Sequence, residues 1–195
     1  MCDAYFQRRA AKGGALTARE AQSHSHGMRP PKPALQFLVD SREQRRFVFG
    51  APIKKEFRDG GTLVRGLSEG DYSVCIDSGA PLSIRIERKS LGDLYGVVGH
   101  GRERFERELD RLRAYEYRAI VVEATADDIL KGYERSQISG RAALKSLGAW
   151  AMDYGVHVWL MESHRRAGGW CQYLLERFSA HYLEAQRGKN DEHLT

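Results

Sequence analysis

Four consecutive apolar residues, Ala119, Ile120, Val121 and Val122, sit between two stretches of helical pattern, and this run constrains the fold more than any other feature. A strand that alternates apolar and polar residues has one wet face. A strand apolar at every position has to be covered on both. The cover is present in the sequence. Before the run, "GHGRERFERELDRLRAYEY" places Phe105, Leu109 and Leu112 at spacings of four and three on one helical face. Arg104, Glu108 and Arg111 fall on the other face. After it, "ISGRAALKSLGAWAMDYG" predicts a helix that Ser139 caps and Gly155 stops. "WCQYLLERFSAHYLEA" predicts a last helix.

The other extended segments precede or follow these helices. "LQFLVDSRE" reads as a buried strand ending at Asp40, and "TLVRGL" and "DYSVCI" as two more, joined by "SEG". "DSGAP" is a turn cluster that returns the chain into "LSIRIERK", making a hairpin. "VHVWLM" is the last strand. Strands come first, then helix and strand alternate, which predicts an α/β fold with a central mixed sheet flanked by helices. The expected organisation is an N-terminal arm over residues 1–34, a domain over 35–186 and a tail over 187–195.

Composition narrows the class. No apolar run approaches the roughly 20 residues of a membrane span, and the N-terminus has no uninterrupted apolar stretch of the secretory kind. The three cysteines, Cys2, Cys75 and Cys171, are far apart and form no CxxC pair. That predicts reduced thiols in a cytoplasmic protein, bacterial or phage-encoded, with neither a disulfide framework nor a zinc site. Residues 1–34 hold six Lys/Arg against two Asp/Glu, so most of the +5 net charge lies in the arm and the domain itself is near neutral. The arm ends in "RPPKP", which disfavours helix. His24 and His26 in "SHSHG" are more plausibly an inert pair than a metal site, and Met28 is a candidate start.

The chemistry concentrates in "RIERKSLGD" (residues 85–93). Three charges in a row also suit a solvated face. Here they end an alternating strand, so Glu87 and Lys89 should share one face and Arg88 the other. The hairpin brings the start of "DYSVCI" beside the end of "SIRIERK", which predicts that Asp71 and Glu87 converge. Two carboxylates with a backbone carbonyl make a hard-oxygen site for Mg²⁺ or Mn²⁺, and a lysine beside it can orient water. That is the equipment of phosphodiester hydrolysis. Asp40, at the end of the first strand, is the third acid in reach.

Gly70–Asp71, then fifteen residues, then Glu87–Arg88–Lys89, three more and Asp93 resemble the GD…ERKxxxD signature of the XPF-type structure-selective endonucleases. "VDSRE" (residues 39–43) resembles the first motif of that family, "ERKSLGDLYGVVGHGR" its third, and "AIVVEA" the strand that follows. The resemblance spans residues 36–180. It implies a restriction-endonuclease-like core of the PD-(D/E)XK type, and DNA as substrate, branched or flapped, in repair or recombination. It implies metal ligation by Asp71 and Glu87 with the Arg88 carbonyl, water positioning by Lys89, and support of the metal by Asp40, directly or through water. Arg88 and Asp93 would hold the site's geometry, and Arg42 and Arg102 would contact phosphate; His100, between Gly99 and Gly101 in a loop near the site, is a further candidate for DNA contact on its position alone. Two departures stand out. The spacing is longer than in eukaryotic members, which the "DSGAP" turn explains. No helix-hairpin-helix or helicase segment is visible, so the chain reads as a stand-alone nuclease domain. A homodimer through the last two helices is expected of such a domain, and no small-molecule cofactor is. The rival reading is a non-catalytic DNA-binding or scaffold partner, which the intact acidic signature disfavours. Trp150, Trp159 and Trp170 are expected in core or interface.

Overall fold

The computed structural model describes residues 31–192. The arm expected over 1–34 lies outside these residues except for its last few, as do His24, His26 and Met28. The described unit begins at Lys32. Six strands are joined in the order β2-β1-β3-β4-β5-β6: β1 (Ala34–Asp40), β2 (Arg58–Arg65), β3 (Tyr72–Ile76), β4 (Ile84–Lys89), β5 (Tyr117–Val122) and β6 (His157–Leu160). The pairs β1–β3 and β3–β4 are antiparallel, and β1–β2, β4–β5 and β5–β6 are parallel. The sheet is therefore mixed, as the sequence predicts.

β5 is buried along its apolar run and feeds both cores. Ala119 and Val121 point into one cluster, with Leu175, Cys171 and Phe47, beneath the long helix α5 (His164–Glu192). Ile120 and Val122 point into the other, beneath α1 (Leu91–Val98), α2 (Arg102–Leu112), α3 (Ala126–Lys131) and α4 (Gly140–Tyr154). Phe105, Leu109 and Leu112 are the buried stripe of α2. Ser139 caps α4 by accepting from the Ala142 N–H, and Gly155 ends it at φ +61°, a left-handed conformation that glycine adopts without strain.

Three features depart from the sequence reading. α1 and α3 were not expected, and each opens with a capping box: Ser90 with Asp93, and Thr125 with Asp128. The last helix starts six residues before Trp170 and runs through much of the expected tail. The third concerns β2, an edge strand exposed along almost all its length that pairs in parallel with β1 and not with β3, the strand that follows it. The crossover over residues 41–57 has no helix of its own. It is fastened to α5: Glu176 accepts from the backbone N–H groups of Ile53 and Lys54 at 3.0 Å, and Gln172 from Gly50 at 3.0 Å. Phe47 then stacks on Tyr72, ring centroids 4.8 Å apart, and closes the core behind the ends of β1 and β3. The apolar residues of α4 and α5 are spent mainly on the core, leaving Met152, Tyr173 and Tyr182 exposed. Trp150 is core, while Trp159 and Trp170 are half-buried against each other.

Candidate active site

Strand register sets the site. Val39 faces Tyr72, and Tyr72 faces Ile86. One step further along each antiparallel pair, Asp40, Asp71 and Glu87 stand in a row across β1, β3 and β4. Residues directly opposite in a sheet project to the same face. Asp71 and Glu87 therefore converge, as the hairpin predicts. The chain enters this row through Gly70 at φ +70°, where a Cβ would also press on the Arg85 side chain and the Ile86 carbonyl at 3.3 Å. Glycine before the acid is thus a steric need of the turn. The hairpin reverses at Asp77 and Ser78, both at positive φ, with the Gly79 N–H donating to the Ile76 carbonyl.

The three acids differ in how their charge is met. Asp40 is buried, and its carboxylate accepts from the Arg42 backbone N–H (2.7 Å), Arg42 Nε (2.8 Å), Arg42 Nη2 (3.0 Å) and the Leu67 N–H (2.7 Å). Burial alone would raise its pKa, but these donors overcome burial and hold it below the usual carboxylate range. Asp71 accepts one backbone N–H, from Arg88 at 2.8 Å. Burial, with the Glu87 charge opposite, pushes its pKa up to about 8. Lys89 forms an ion pair with Glu87. Burial works against the Lys89 ammonium, but Glu87 and Asp71 outweigh it and keep its pKa above the ordinary lysine value. Its Nζ also lies 4.5 Å from the centre of the Phe105 ring.

Arg88 leaves β4 on the opposite face. Its Nε donates to Glu123 at 2.8 Å, and its Nη1 lies 3.5 Å from Asp93 and 3.8 Å from Glu43. Glu123 also meets His164 Nδ1 at 2.5 Å and Arg45 at 3.6 Å. Asp93 both anchors the first turn of α1 and faces Arg88.

Asp40, Asp71, Glu87, Arg88, Lys89 and Asp93 line a cleft of about 480 Å³ whose walls include the Ser68–Asp71 turn, the end of β4 and one side of α2. Arg111 of α2 bonds Glu69 across its mouth at 2.6 Å. Seven carboxylates and six cationic side chains line it, so the cleft carries no positive excess. Two expectations for DNA contact are relocated. Arg102 is not in the cleft: it bonds Glu106 at 2.6 Å and Ser146 at 2.5 Å and lies over Trp150, bracing α2 against α4. His100 lies in a second cavity, at the far end of α1. Arg42 is in the cleft, with its guanidinium turned on Asp40 and the Leu67 carbonyl. Sequence reasoning gave no role to Glu43, Glu69, Arg111, Glu123 or His164. Glu43 and Glu123 lie within the quoted motifs, and that was their only signal.

The donor set fits a hard dication. Two carboxylates face each other, and one is short of positive charge and forced toward its proton. Among the described residues no three His, Cys, Asp or Glu side chains form a complete cage. The remaining ligands would be backbone oxygen and water, as is usual for Mg²⁺.

Residues 39–174 match the ERCC4 domain. The chain belongs to the ERCC4 domain family. Among solved structures it is similar to XPF from Aeropyrum pernix, with 24% identity, a TM-score of 0.54, and coverage of 74% of this chain and 61% of that one. It is also similar to XPF from Aeropyrum pernix in complex with DNA, with 22% identity, a TM-score of 0.52, and coverage of 74% and 64%. The fold is that of an XPF-type nuclease domain, restriction-endonuclease-like, and the chain spans less than two thirds of the length of those structures. A search of curated protein sequences finds no match.

Proposed function

We propose that this ERCC4 domain hydrolyses phosphodiester bonds in DNA with the help of Mg²⁺ or Mn²⁺, and that it acts on branched or flapped molecules. The observation that carries the reading is Asp71: a carboxyl opposite Glu87, beside Lys89, at the floor of a charged cleft, with too little cation around it to stay ionised on its own. Asp71 and Glu87 would hold the ion together with the Arg88 carbonyl. When bound, the ion supplies charge to the phosphate and lowers the pKa of the attacking water. Lys89, fixed between Glu87 and the Phe105 ring, orients that water by hydrogen bonding and adds positive charge as the phosphorane-like transition state forms. Asp40 does not ligate directly; its four donors make it the rigid end of the row. Arg88 keeps the strand end in place, so that its backbone N–H fixes the Asp71 carboxylate.

A cleft without positive excess cannot gather DNA by charge alone. Approach to the phosphate backbone then depends on the ion and on charge elsewhere, of which residues 1–34 hold most. The test is a cleavage assay on duplex, flap, fork and four-way-junction DNA. Mg²⁺ and Mn²⁺ should support cutting. Ca²⁺ should support binding only, because its looser shell positions water poorly. Binding without cleavage under any metal would leave the scaffold-partner reading in its place.

A further inference from the structure

Gly92 in α1 and Gly99, which caps its C-terminus, both approach the loop that joins α3 to α4, and Gly96 between them does not. A Cβ on Gly92 would meet the Tyr133 hydroxyl at 3.0 Å, and one on Gly99 the Ile138 Cδ1 at 3.0 Å. A Cβ on Gly96 would meet nothing within 4 Å. The loop is thus held against both ends of the helix and stands clear of its middle. The hollow between them has a volume of about 420 Å³, within the range of roughly 300–1,000 Å³ usual for small-ligand sites.

Its lining combines an aromatic wall with a polar rim. Tyr133 and Tyr95 lie with ring centroids 5.7 Å apart, and the Tyr95 hydroxyl is already spent on the Ile129 carbonyl at 2.6 Å. His100, Arg135 and Gln137 stand at the exposed edge. Among the described residues the Arg135 guanidinium meets only Glu134, at 3.8 Å and with both side chains exposed, a pairing that holds it weakly. An aromatic wall offers a stacking surface to any nucleobase, amide and hydroxyl groups suit its polar edge, and an arginine at the rim suits its phosphate. The position is as telling as the lining. Gly92 belongs to this hollow and the adjacent Asp93 to the active-site cleft, so the two cavities share the first turn of α1.

We propose that this hollow receives one unpaired nucleotide of the DNA strand whose backbone lies in the active-site cleft, with the base over Gly96 against Tyr133 and the phosphate toward Arg135 and His100. The assignment rests on the nuclease reading. It adds to that reading a structural means of selecting substrates, because a paired base cannot enter and an unpaired one beside the cutting point can.

Solution NMR of the isotope-labelled chain with a thymidine tetranucleotide, in EDTA, tests it without metal or cleavage. The amides of Gly96, Gly99 and His100 should shift. Gly96→Leu sends a side chain into the hollow from a position where a Cβ meets nothing within 4 Å and improves helix propensity, so the fold should survive, as checked by thermal melting. It should abolish those shifts and weaken binding of the tetranucleotide about tenfold or more, with Arg135→Ala weakening it less. In Ca²⁺, affinity for a flap should fall about tenfold and affinity for blunt duplex should stay within about twofold. Shifts confined to the cleft, no shifts at all, or full tetranucleotide affinity in Gly96→Leu overturn the proposal. A chain that never cuts DNA would still show the shifts if the hollow is real. A chain that cuts while these amides stay still keeps the nuclease reading and loses this one.

Discussion

The two faces of β4 carry the same kinds of residue in opposite conditions. On the α5 face, Arg88 is buried among Glu123, Glu43 and Asp93, and Glu123 has three cationic or hydrogen-bonding neighbours. On the α2 face, Asp71 and Glu87 share a single ammonium, and Asp71 is driven toward its proton. The first cluster is satisfied and acts as a scaffold. The second is one cation short and is ready to take one up. Strand alternation separates them: adjacent residues of one signature are divided between bracing and chemistry.

The contrast can be broken from either side. The largest effect should come from neutralising the unsatisfied face. Asp71→Asn or Glu87→Gln should cut the cleavage rate by roughly a thousandfold or more, and in EDTA Glu87→Gln should keep or tighten DNA binding because a charge that repels phosphate is gone. Lys89→Ala should also abolish cleavage and weaken binding slightly. If all three cut at the wild-type rate, the chemistry lies elsewhere.

Next in size is the satisfied face. Arg88→Ala takes one of three partners from the buried Glu123 and the ion-pair partner from Glu43, and breaking such a buried pair costs about 3–5 kcal/mol. The melting temperature should fall by roughly 6–15 °C, and cleavage with it. A melt unchanged from wild type would show that the cluster braces nothing.

A smaller effect separates the faces by pH. The folded-state pKa of Asp71 lies above its unfolded value. Its contribution to stability is therefore fully present below about pH 4 and is lost as pH rises through about 8. The metal-free wild type should lose melting temperature across that window relative to Asp71→Asn, and added Mg²⁺ should restore it. Parallel curves for the two proteins would contradict the strained-acid account. The smallest change is expected at Arg102, which braces two helices from a half-exposed position. Arg102→Ala should lower the melting temperature by a few degrees and leave DNA affinity within about twofold.

The sequence disclosed what depends on local periodicity. The buried run at 119–122, the stripe of α2 and the alternation into Glu87 each follow from spacing alone. The hairpin then brings Asp71 to Glu87, because the register of two adjacent strands is a short-range matter. α1 and α3 were hidden for a physical reason: α1 carries two glycines in eight residues and α3 has only six, so neither offers a long apolar stripe, and their caps were the only signal. The parallel pairing of β2 was equally hidden, since an exposed edge strand has no buried face to fix its place. The brace around Arg88 is drawn from Glu43, Glu123 and His164, which only tertiary structure brings together. Arg102 shows the converse: a motif position can match while its side chain is engaged elsewhere.

Direct measurement of Mn²⁺ binding, by calorimetry or electron paramagnetic resonance on the wild type, Asp71→Asn and Glu123→Gln, tests the contrast between the faces most closely. The account predicts a site in the wild type, at least a tenfold loss of affinity in Asp71→Asn, and retention within about threefold in Glu123→Gln, where the change is confined to the bracing face. Equal Mn²⁺ affinity in the wild type and Asp71→Asn would contradict it.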